Sequence, residues 1–180
     1  MTEGREVVLD VNGRRHTVLV ADDEPLVLTL RDRLGLRSVR PTCGIGICGT
    51  CTIQVDGAVA SSCLLLTRQV TGRSIRTSEG MVDSAGALSP IQQAFVDRGA
   101  YQCAYCIPGM VVTVDACLAE NPDATLEEVR EYLAGNLCRC GTYVNILDAV
   151  RSLVGGPPTR RSNATGQPGA NTPPIETRDG

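Results

Sequence analysis

Nine cysteines dominate the chemistry that this chain of 180 residues could perform. Eight of them fall into two groups: Cys43, Cys48, Cys51 and Cys63, and then Cys103, Cys106, Cys138 and Cys140. So many cysteines indicate disulfides, bound metal or redox chemistry. Because the first residues lack the apolar segment of a secretory signal peptide, we expect a reducing, cytoplasmic location and therefore metal-binding thiols rather than disulfides.

The first group has the spacing C-x4-C-x2-C followed by a fourth cysteine, which is the plant-type 2Fe-2S pattern. Gly44, Gly46 and Gly49 lie between or beside its cysteines. Without Cβ atoms they would let backbone N–H groups approach the sulfurs of an anionic cluster. Zinc is the alternative, but zinc ribbons use paired C-x2-C motifs, which this spacing matches poorly.

The second group combines a C-x2-C loop with a later C-x-C loop, each before a predicted helix, so four thiolates again converge. Cys138 and Cys140 are one residue apart, which is uncommon in zinc fingers and strained for a disulfide. We therefore favour a second 2Fe-2S centre, although this spacing is less diagnostic than the first. Cys117 falls on the apolar face of a predicted helix, and we interpret it as a small buried hydrophobe.

The first cysteine group is positioned by predicted strands and one short helix. Alternating apolar residues in 5–20 predict a β-hairpin. Residues 26–34, with a leucine at every fourth position, predict a short helix. Further strands are predicted at 52–55 and near Ile75, which makes this part a small α+β unit.

The periodicity changes after residues 78–89, whose small polar side chains predict a linker. Ser89 followed by Pro90 has the pattern of a helix cap, and Thr125 with Glu128 has that of a capping box. Four helices are predicted, beginning at Pro90, Pro108, Leu126 and Val144, the last with Val144 on its apolar face.

These patterns predict a sheet-containing domain at 1–80 and a helical domain at 81–154. The Gly- and Pro-rich residues 155–180 contain too few apolar side chains to form a core, so we predict a disordered tail. A net charge of −3 without a basic block argues against a nucleic-acid partner. No apolar run is long enough to span a bilayer.

Three segments resemble a known family: CGIGICGTCTIQVDGAVASSC at 43–63, QCAYCIPGM at 102–110 and GNLCRCGTY at 135–143. They look like the two signatures of the iron–sulfur subunit of the molybdenum hydroxylases. That family includes xanthine dehydrogenases, aldehyde oxidases, carbon monoxide dehydrogenases and bacterial N-heterocycle dehydrogenases. The similarity extends over roughly residues 5–154 in order and spacing.

The resemblance implies an α+β fold in which an N-terminal β-grasp, plant-type ferredoxin-like domain is followed by an all-α four-helix 2Fe-2S domain. It implies that each cysteine group binds one 2Fe-2S cluster. It also implies that Gln102 hydrogen-bonds the pterin of a molybdenum cofactor on a large partner subunit, with Cys140 approaching it. Electrons released there by hydroxylation would pass through both clusters to a flavin-binding subunit or another acceptor.

The sequence departs from the family pattern at Ala104, where glycine is usual, and at Gly141-Thr142, which reverses the commoner Thr-Gly order. A free-standing, diffusible 2Fe-2S ferredoxin is the alternative function. It predicts an exposed acidic docking surface, whereas the subunit predicts an apolar patch on the helical half. A structural zinc protein is a third hypothesis.

Overall fold

A computed structural model of the chain describes residues 4–155 and has a mixed α+β composition, which confirms the coarse fold class. The strands are β1 (Arg5–Val11), β2 (Arg14–Val20), β3 (Thr52–Val55), β4 (Ala58–Ser61) and β5 (Ser74–Arg76). The α-helices are α1 (Leu26–Leu28), α2 (Pro90–Asp97), α3 (Ile107–Glu120), α4 (Leu126–Tyr132) and α5 (Tyr143–Leu153). No helix within residues 4–155 is both long and apolar enough to cross a membrane.

The five strands form one sheet in the order β2-β1-β5-β3-β4. Strands β1 and β5 run parallel, and the other neighbouring pairs are antiparallel. Asn12 and Gly13 join β1 to β2 with φ angles of 53° and 72°. Both residues are in the left-handed region that a two-residue hairpin turn requires. The predicted hairpin and the strands at 52–55 and near Ile75 are confirmed.

The predicted helix at 26–34 is present, but only its first turn is an α-helix. After Leu28 it continues as a π-helix over Thr29–Arg33, where the Leu34 N–H donates to the Thr29 carbonyl at 3.1 Å. Leu26 and Leu30 are both fully buried in the sheet core. The leucine spacing indicates which residues face the core, but it does not distinguish the hydrogen-bond pattern of an α-helix from that of a π-helix.

The predicted helix caps at Ser89 and Thr125 are confirmed. Each hydroxyl accepts from the backbone N–H three residues later, and each of those residues returns a side-chain hydrogen bond. The prediction for Val144 is wrong, because this side chain is 74% exposed and faces away from the helical core.

Buried apolar side chains form two clusters, one on the sheet from Val7 to Ile75 and one among the helices from Met81 to Val150. The predicted linker is wrong at its start, since Ser78–Met81 is a 3-10 helix whose Met81 is 5% exposed and belongs to the helical cluster. Apart from Gly155, the predicted tail lies outside the described residues.

The loop before β3 meets the helical half in a contact that leaves no room for side chains. A Cβ on Gly109 would lie 2.3 Å from the Gly49 carbonyl oxygen, and a Cβ on Gly49 would lie 2.4 Å from the Gly135 carbonyl oxygen. Asn136 completes the contact. Its Nδ2 donates to the Gly49 carbonyl at 2.9 Å, and its Oδ1 accepts from Thr113 Oγ1 at 2.9 Å.

A second polar contact joins the sheet to α3. Gln54 Nε2 donates to the Val112 carbonyl at 3.1 Å and to Asp115 Oδ2 at 2.8 Å. Arg76 Nη1 donates to the same carboxylate oxygen at 2.8 Å. The orientation of α3 against β3 and β5 is therefore fixed by paired polar groups as well as by the glycine contact.

We expect Gly109→Ala to lower the free energy of unfolding by about 1–3 kcal/mol, because the new methyl group overpacks the contact with Gly49. The loss should appear even though alanine favours a helix over glycine by about 1 kcal/mol. Gly135→Ala is the matched control, since a Cβ there meets no atom within 4 Å. Denaturant titration of both variants measures the difference, and equal midpoints would contradict the close contact.

Candidate metal centres

The first cysteine group lies in a loop whose backbone turns its N–H groups toward a sulfur. Gly44 and Gly46 have φ angles of 68° and 76°, which only glycine adopts without strain. The N–H groups of Ile45 and Cys48, with further help from the neighbouring thiol, lower the pKa of Cys43 to about 6. The loop thus stabilises negative charge on sulfur, as a thiolate-bound cluster requires.

The eight cysteines of the two groups come together as four thiol pairs. The pairs are Cys43 with Cys48, Cys51 with Cys63, Cys103 with Cys140, and Cys106 with Cys138. Each group thus supplies two pairs, as a binuclear cluster with two thiolates on each iron needs. Among residues 4–155, no three His, Cys, Asp or Glu side chains surround a position for a single metal ion. Four thiols in two pairs at each site fit the donor set of a 2Fe-2S cluster.

The second site has a buried pair and an exposed pair. Cys106 and Cys138 are 7% and 9% exposed, whereas Cys103 and Cys140 are exposed with their sulfurs 3.4 Å apart. Burial and the adjacent Cys138 thiol raise the pKa of Cys106 to about 12. Loading this site with metal must therefore remove a firmly held proton.

Gln102 lies at the exposed edge of the second site. Its side chain is exposed, and its Nε2 is 3.4 Å from the Cys140 carbonyl oxygen to which it donates. The structure thus brings the predicted cofactor contact beside the two exposed cysteines. Cys117, in contrast, is 4% exposed within the helical core, as predicted.

One backbone hydrogen bond joins the two sites directly. The N–H of Leu137 donates to the carbonyl of Cys48 at 2.9 Å. Leu137 immediately precedes Cys138, so the bond connects a cysteine of the first site with the chain neighbour of a cysteine of the second. It lies beside the contact between Gly49 and Asn136.

Arg40 also links the two sites, and sequence reasoning did not identify it. Its Nη1 donates to the Ala104 carbonyl at 2.7 Å, and its guanidinium carbon lies 4.9 Å from the centroid of the Tyr105 ring. Its own carbonyl accepts from Thr50 Oγ1 at 2.8 Å. Arg40 and Asn136 were missed because their partners in the other half of the chain, Ala104 and Gly49, are 64 and 87 residues away, and no local pattern marks them.

Ala104 is strained in the loop between Cys103 and Cys106. Its φ angle is +57°, in the left-handed region that costs a residue with a Cβ roughly 1–2 kcal/mol. This geometry gives a physical reason for the glycine that is usual at this position.

We expect Ala104→Gly to raise the free energy of unfolding by up to about 1 kcal/mol, because relief of strain exceeds the added freedom of the unfolded chain. Ala85→Gly is the control, since Ala85 is an exposed loop residue without a positive φ. That control should lose about 0.4–1 kcal/mol. Thermal unfolding of both variants tests the pair, and a loss of stability in Ala104→Gly would contradict the strain.

Two family models together cover most of the chain. A 2Fe-2S iron–sulfur cluster binding domain matches residues 9–77, and a second 2Fe-2S binding domain matches residues 77–151. The two matches correspond to the first and second cysteine groups.

Similar proteins of known activity match along nearly their whole length. The chain is 46% identical to one of the subunits of nicotinate dehydrogenase from Pseudomonas putida, over 81% of this chain and 92% of that protein. It is 47% identical to the nicotine 6-hydroxylase small subunit of Paenarthrobacter nicotinovorans, over 83% and 90%.

Solved structures share the fold. Quinoline 2-oxidoreductase from Pseudomonas putida matches with a TM-score of 0.80 and 37% identity, over 85% of this chain and 95% of that chain. The aldehyde oxidoreductase from Desulfovibrio desulfuricans matches with a TM-score of 0.79 and 37% identity, over 84% of this chain and 17% of that much longer one.

Proposed function

This chain belongs to the iron–sulfur subunits of the molybdenum hydroxylase family, and from this premise we propose that it transfers electrons within a heteromeric oxidoreductase. It would carry them from a large molybdopterin-binding subunit to a flavin-binding subunit or another acceptor. The observation that carries this proposal is the hydrogen bond between Leu137 and Cys48, which joins two four-cysteine sites through their backbones.

The residues proposed to hold the clusters are Cys43, Cys48, Cys51 and Cys63 at the first site, and Cys103, Cys106, Cys138 and Cys140 at the second. When bound, a 2Fe-2S cluster takes up and releases one electron at a time, at a potential set by hydrogen bonds, charge and solvent exposure. The chain's own task is to hold the thiolates in pairs, to supply N–H groups to the sulfurs and to exclude water from the buried pair, Cys106 and Cys138.

The distribution of exposure supports a direction for electron transfer. The second site is open at Gln102, Cys103 and Cys140, where we propose that the pterin on the large partner chain approaches. The first site carries Ile45 and Ile47 at its outer edge, 64% and 60% exposed. We assign this apolar edge to contact with the subunit that accepts the electrons.

The surface beside the second site favours a subunit over a diffusible ferredoxin. Leu137, Tyr143 and Val144 are 48%, 41% and 74% exposed and flank the loop at 138–140. Large apolar side chains in neighbouring positions are typical of a surface that another protein covers. A diffusible carrier would instead require an acidic docking surface around its exposed cluster.

The finer architecture is part of the same proposal. We assign residues 1–80 to a β-grasp domain and 81–154 to a four-helix domain, since the sheet and the helices each contain their own buried apolar cluster. A cytoplasmic location is proposed as well, because a reducing compartment keeps the eight thiols of the two sites free for metal.

The main test is EPR spectroscopy of the anaerobically reduced protein, with iron, zinc and acid-labile sulfide determined on the same sample. We expect two S = 1/2 signals with matching iron and sulfide, and copurification with a large molybdopterin-binding chain. A colourless protein that contains zinc would refute the proposal. A stable monomer with both signals, prepared from cells that contain the large chain, would favour the diffusible ferredoxin.

We expect Cys138→Ser to abolish or alter one EPR signal and to block substrate-driven reduction of the first site, because a serine oxygen replaces a soft thiolate ligand. Cys117→Ser is the matched control. It changes a buried cysteine outside both groups, so both signals should persist. Unchanged spectra and turnover in Cys138→Ser would exclude this residue as a ligand.

We expect Gln102→Ala to slow substrate-driven reduction of the second site in the complex by about tenfold, a magnitude typical of a lost positioning contact. The EPR signals of the chemically reduced protein should not change, because Gln102 is not a ligand. Gln93→Ala is the control, since Gln93 is exposed on α2 and its side-chain amide donates to the Asp97 carboxylate of the same helix. Stopped-flow reduction at wild-type rate in Gln102→Ala would remove Gln102 from the electron-entry site.

A further inference from the structure

Thr142 carries a buried hydroxyl that the fold does not use. Its side-chain oxygen is the one buried side-chain nitrogen or oxygen among residues 4–155 without a hydrogen-bond partner. The residue is 6% exposed and stands at the start of α5, where threonine normally caps the helix, yet its hydroxyl makes no capping bond. Since an unpaired buried hydroxyl destabilises a fold, its retention requires an explanation.

Thr142 stands between two residues that bond to Cys138: the Gly141 N–H donates to the Cys138 carbonyl at 3.3 Å, and Tyr143 Oη accepts from the Cys138 N–H. Burial by itself raises the pKa of the Cys138 thiol, and the N–H of Thr142 is the main group that lowers it. The hydrogen bonds on either side of Thr142 place its buried hydroxyl in the loop around Cys138, where a donor would stabilise negative charge on the sulfur.

The neighbouring tyrosine hydroxyl bonds to the backbone of the same cysteine. Tyr143 Oη accepts a hydrogen bond from the Cys138 N–H at 2.7 Å, so it supports the backbone of the ligand rather than its sulfur. In this chain Gly141 precedes Thr142, and this order places the threonine at the N-cap of α5, one residue before the helix begins. A donor is thus available at Cys138 without the loss of any other hydrogen bond.

We propose that the Thr142 hydroxyl donates a hydrogen bond to the Cys138 sulfur in the second cluster and thereby raises that cluster's reduction potential. The inference rests on the proposed function, because it requires a 2Fe-2S cluster at this site. One-electron reduction adds one negative charge to the cluster. Hydrogen bonds to cluster sulfurs are among the factors that set the potential, and a donor favours the more negative, reduced form. The proton stays on the hydroxyl throughout, and no covalent bond changes.

The test is an EPR-monitored redox titration of the intact complex with Thr142→Val and Thr142→Ser. Valine keeps the branched shape and removes the donor, whereas serine keeps the donor. We expect Thr142→Val to lower the potential of the second signal by at least a tenfold change in the reduction equilibrium, about 59 mV for one electron. Thr142→Ser should stay near the wild-type potential, and the first signal should not move in either variant.

Thr67→Val is the matched control for the loss of a buried hydroxyl. Thr67 is fully buried, but its hydroxyl contacts Thr29 Oγ1 at 2.7 Å and donates to the Glu24 carbonyl at 3.1 Å. This variant should lose stability and leave both potentials unchanged. A wild-type potential in Thr142→Val, or an equal shift in Thr142→Ser, would overturn the proposal.

Loss of a cluster is also informative. If Thr142→Val lacks the second signal and Thr142→Ser retains it, the hydroxyl is required at the cluster and the proposal gains support. If both variants lack the signal, the side chain acts through its shape and the proposal fails. Absence of 2Fe-2S signals from the wild-type complex would refute the proposed function itself, whereas two wild-type signals without a shift would refute only the role of Thr142.

Discussion

The contact between backbones at Gly49, Gly109 and Gly135 is the constraint on which the rest of the structure depends. Two redox sites on different structural elements exchange electrons efficiently only if little protein separates them. Here a Cβ on Gly49 or Gly109 would lie within 2.4 Å of a carbonyl oxygen, so any side chain would force the sites apart. Asn136 fills the remaining space and satisfies the polar groups that the contact buries. The hydrogen bond from Leu137 to Cys48 forms at this same place.

Both sites stabilise negative charge on sulfur, but they do so with different local structures. At the first site, a glycine-containing loop directs the N–H groups of Ile45 and Cys48 toward Cys43. At the second, the N–H of Tyr105 is the main group that lowers the pKa of Cys103, and the N–H of Thr142 acts on Cys138. Negative charge on the buried Cys138 requires such fixed dipoles, because little water reaches this sulfur to stabilise it.

Sequence reasoning succeeded where a short segment contains its own explanation. The hairpin at Asn12-Gly13 and the helix caps at Ser89 and Thr125 depend on residues within a few positions of each other. The C-x4-C-x2-C spacing of the first group is equally local, whereas the second group joins two distant loops, with Cys103 and Cys140 37 residues apart along the chain. Sequence reasoning failed where packing between distant segments decides the structure, as in the π-helix after Leu28 and the exposure of Val144. No spacing rule connects Arg40 or Asn136 to partners that only the folded chain brings near.

Arg40 connects the strained loop at Ala104 to the loop of the first site. Its guanidinium holds the Ala104 carbonyl, which helps to keep that residue in its left-handed conformation. Its backbone is tied to Thr50, whose hydroxyl lies 3.2 Å from Cys48 Sγ at the first site. A delocalised, weakly hydrated cation tolerates a half-buried position better than an ammonium group would. A lysine could not replace it, because an ammonium group lacks the planar fork that donates to the Ala104 carbonyl while it stacks on the Tyr105 ring.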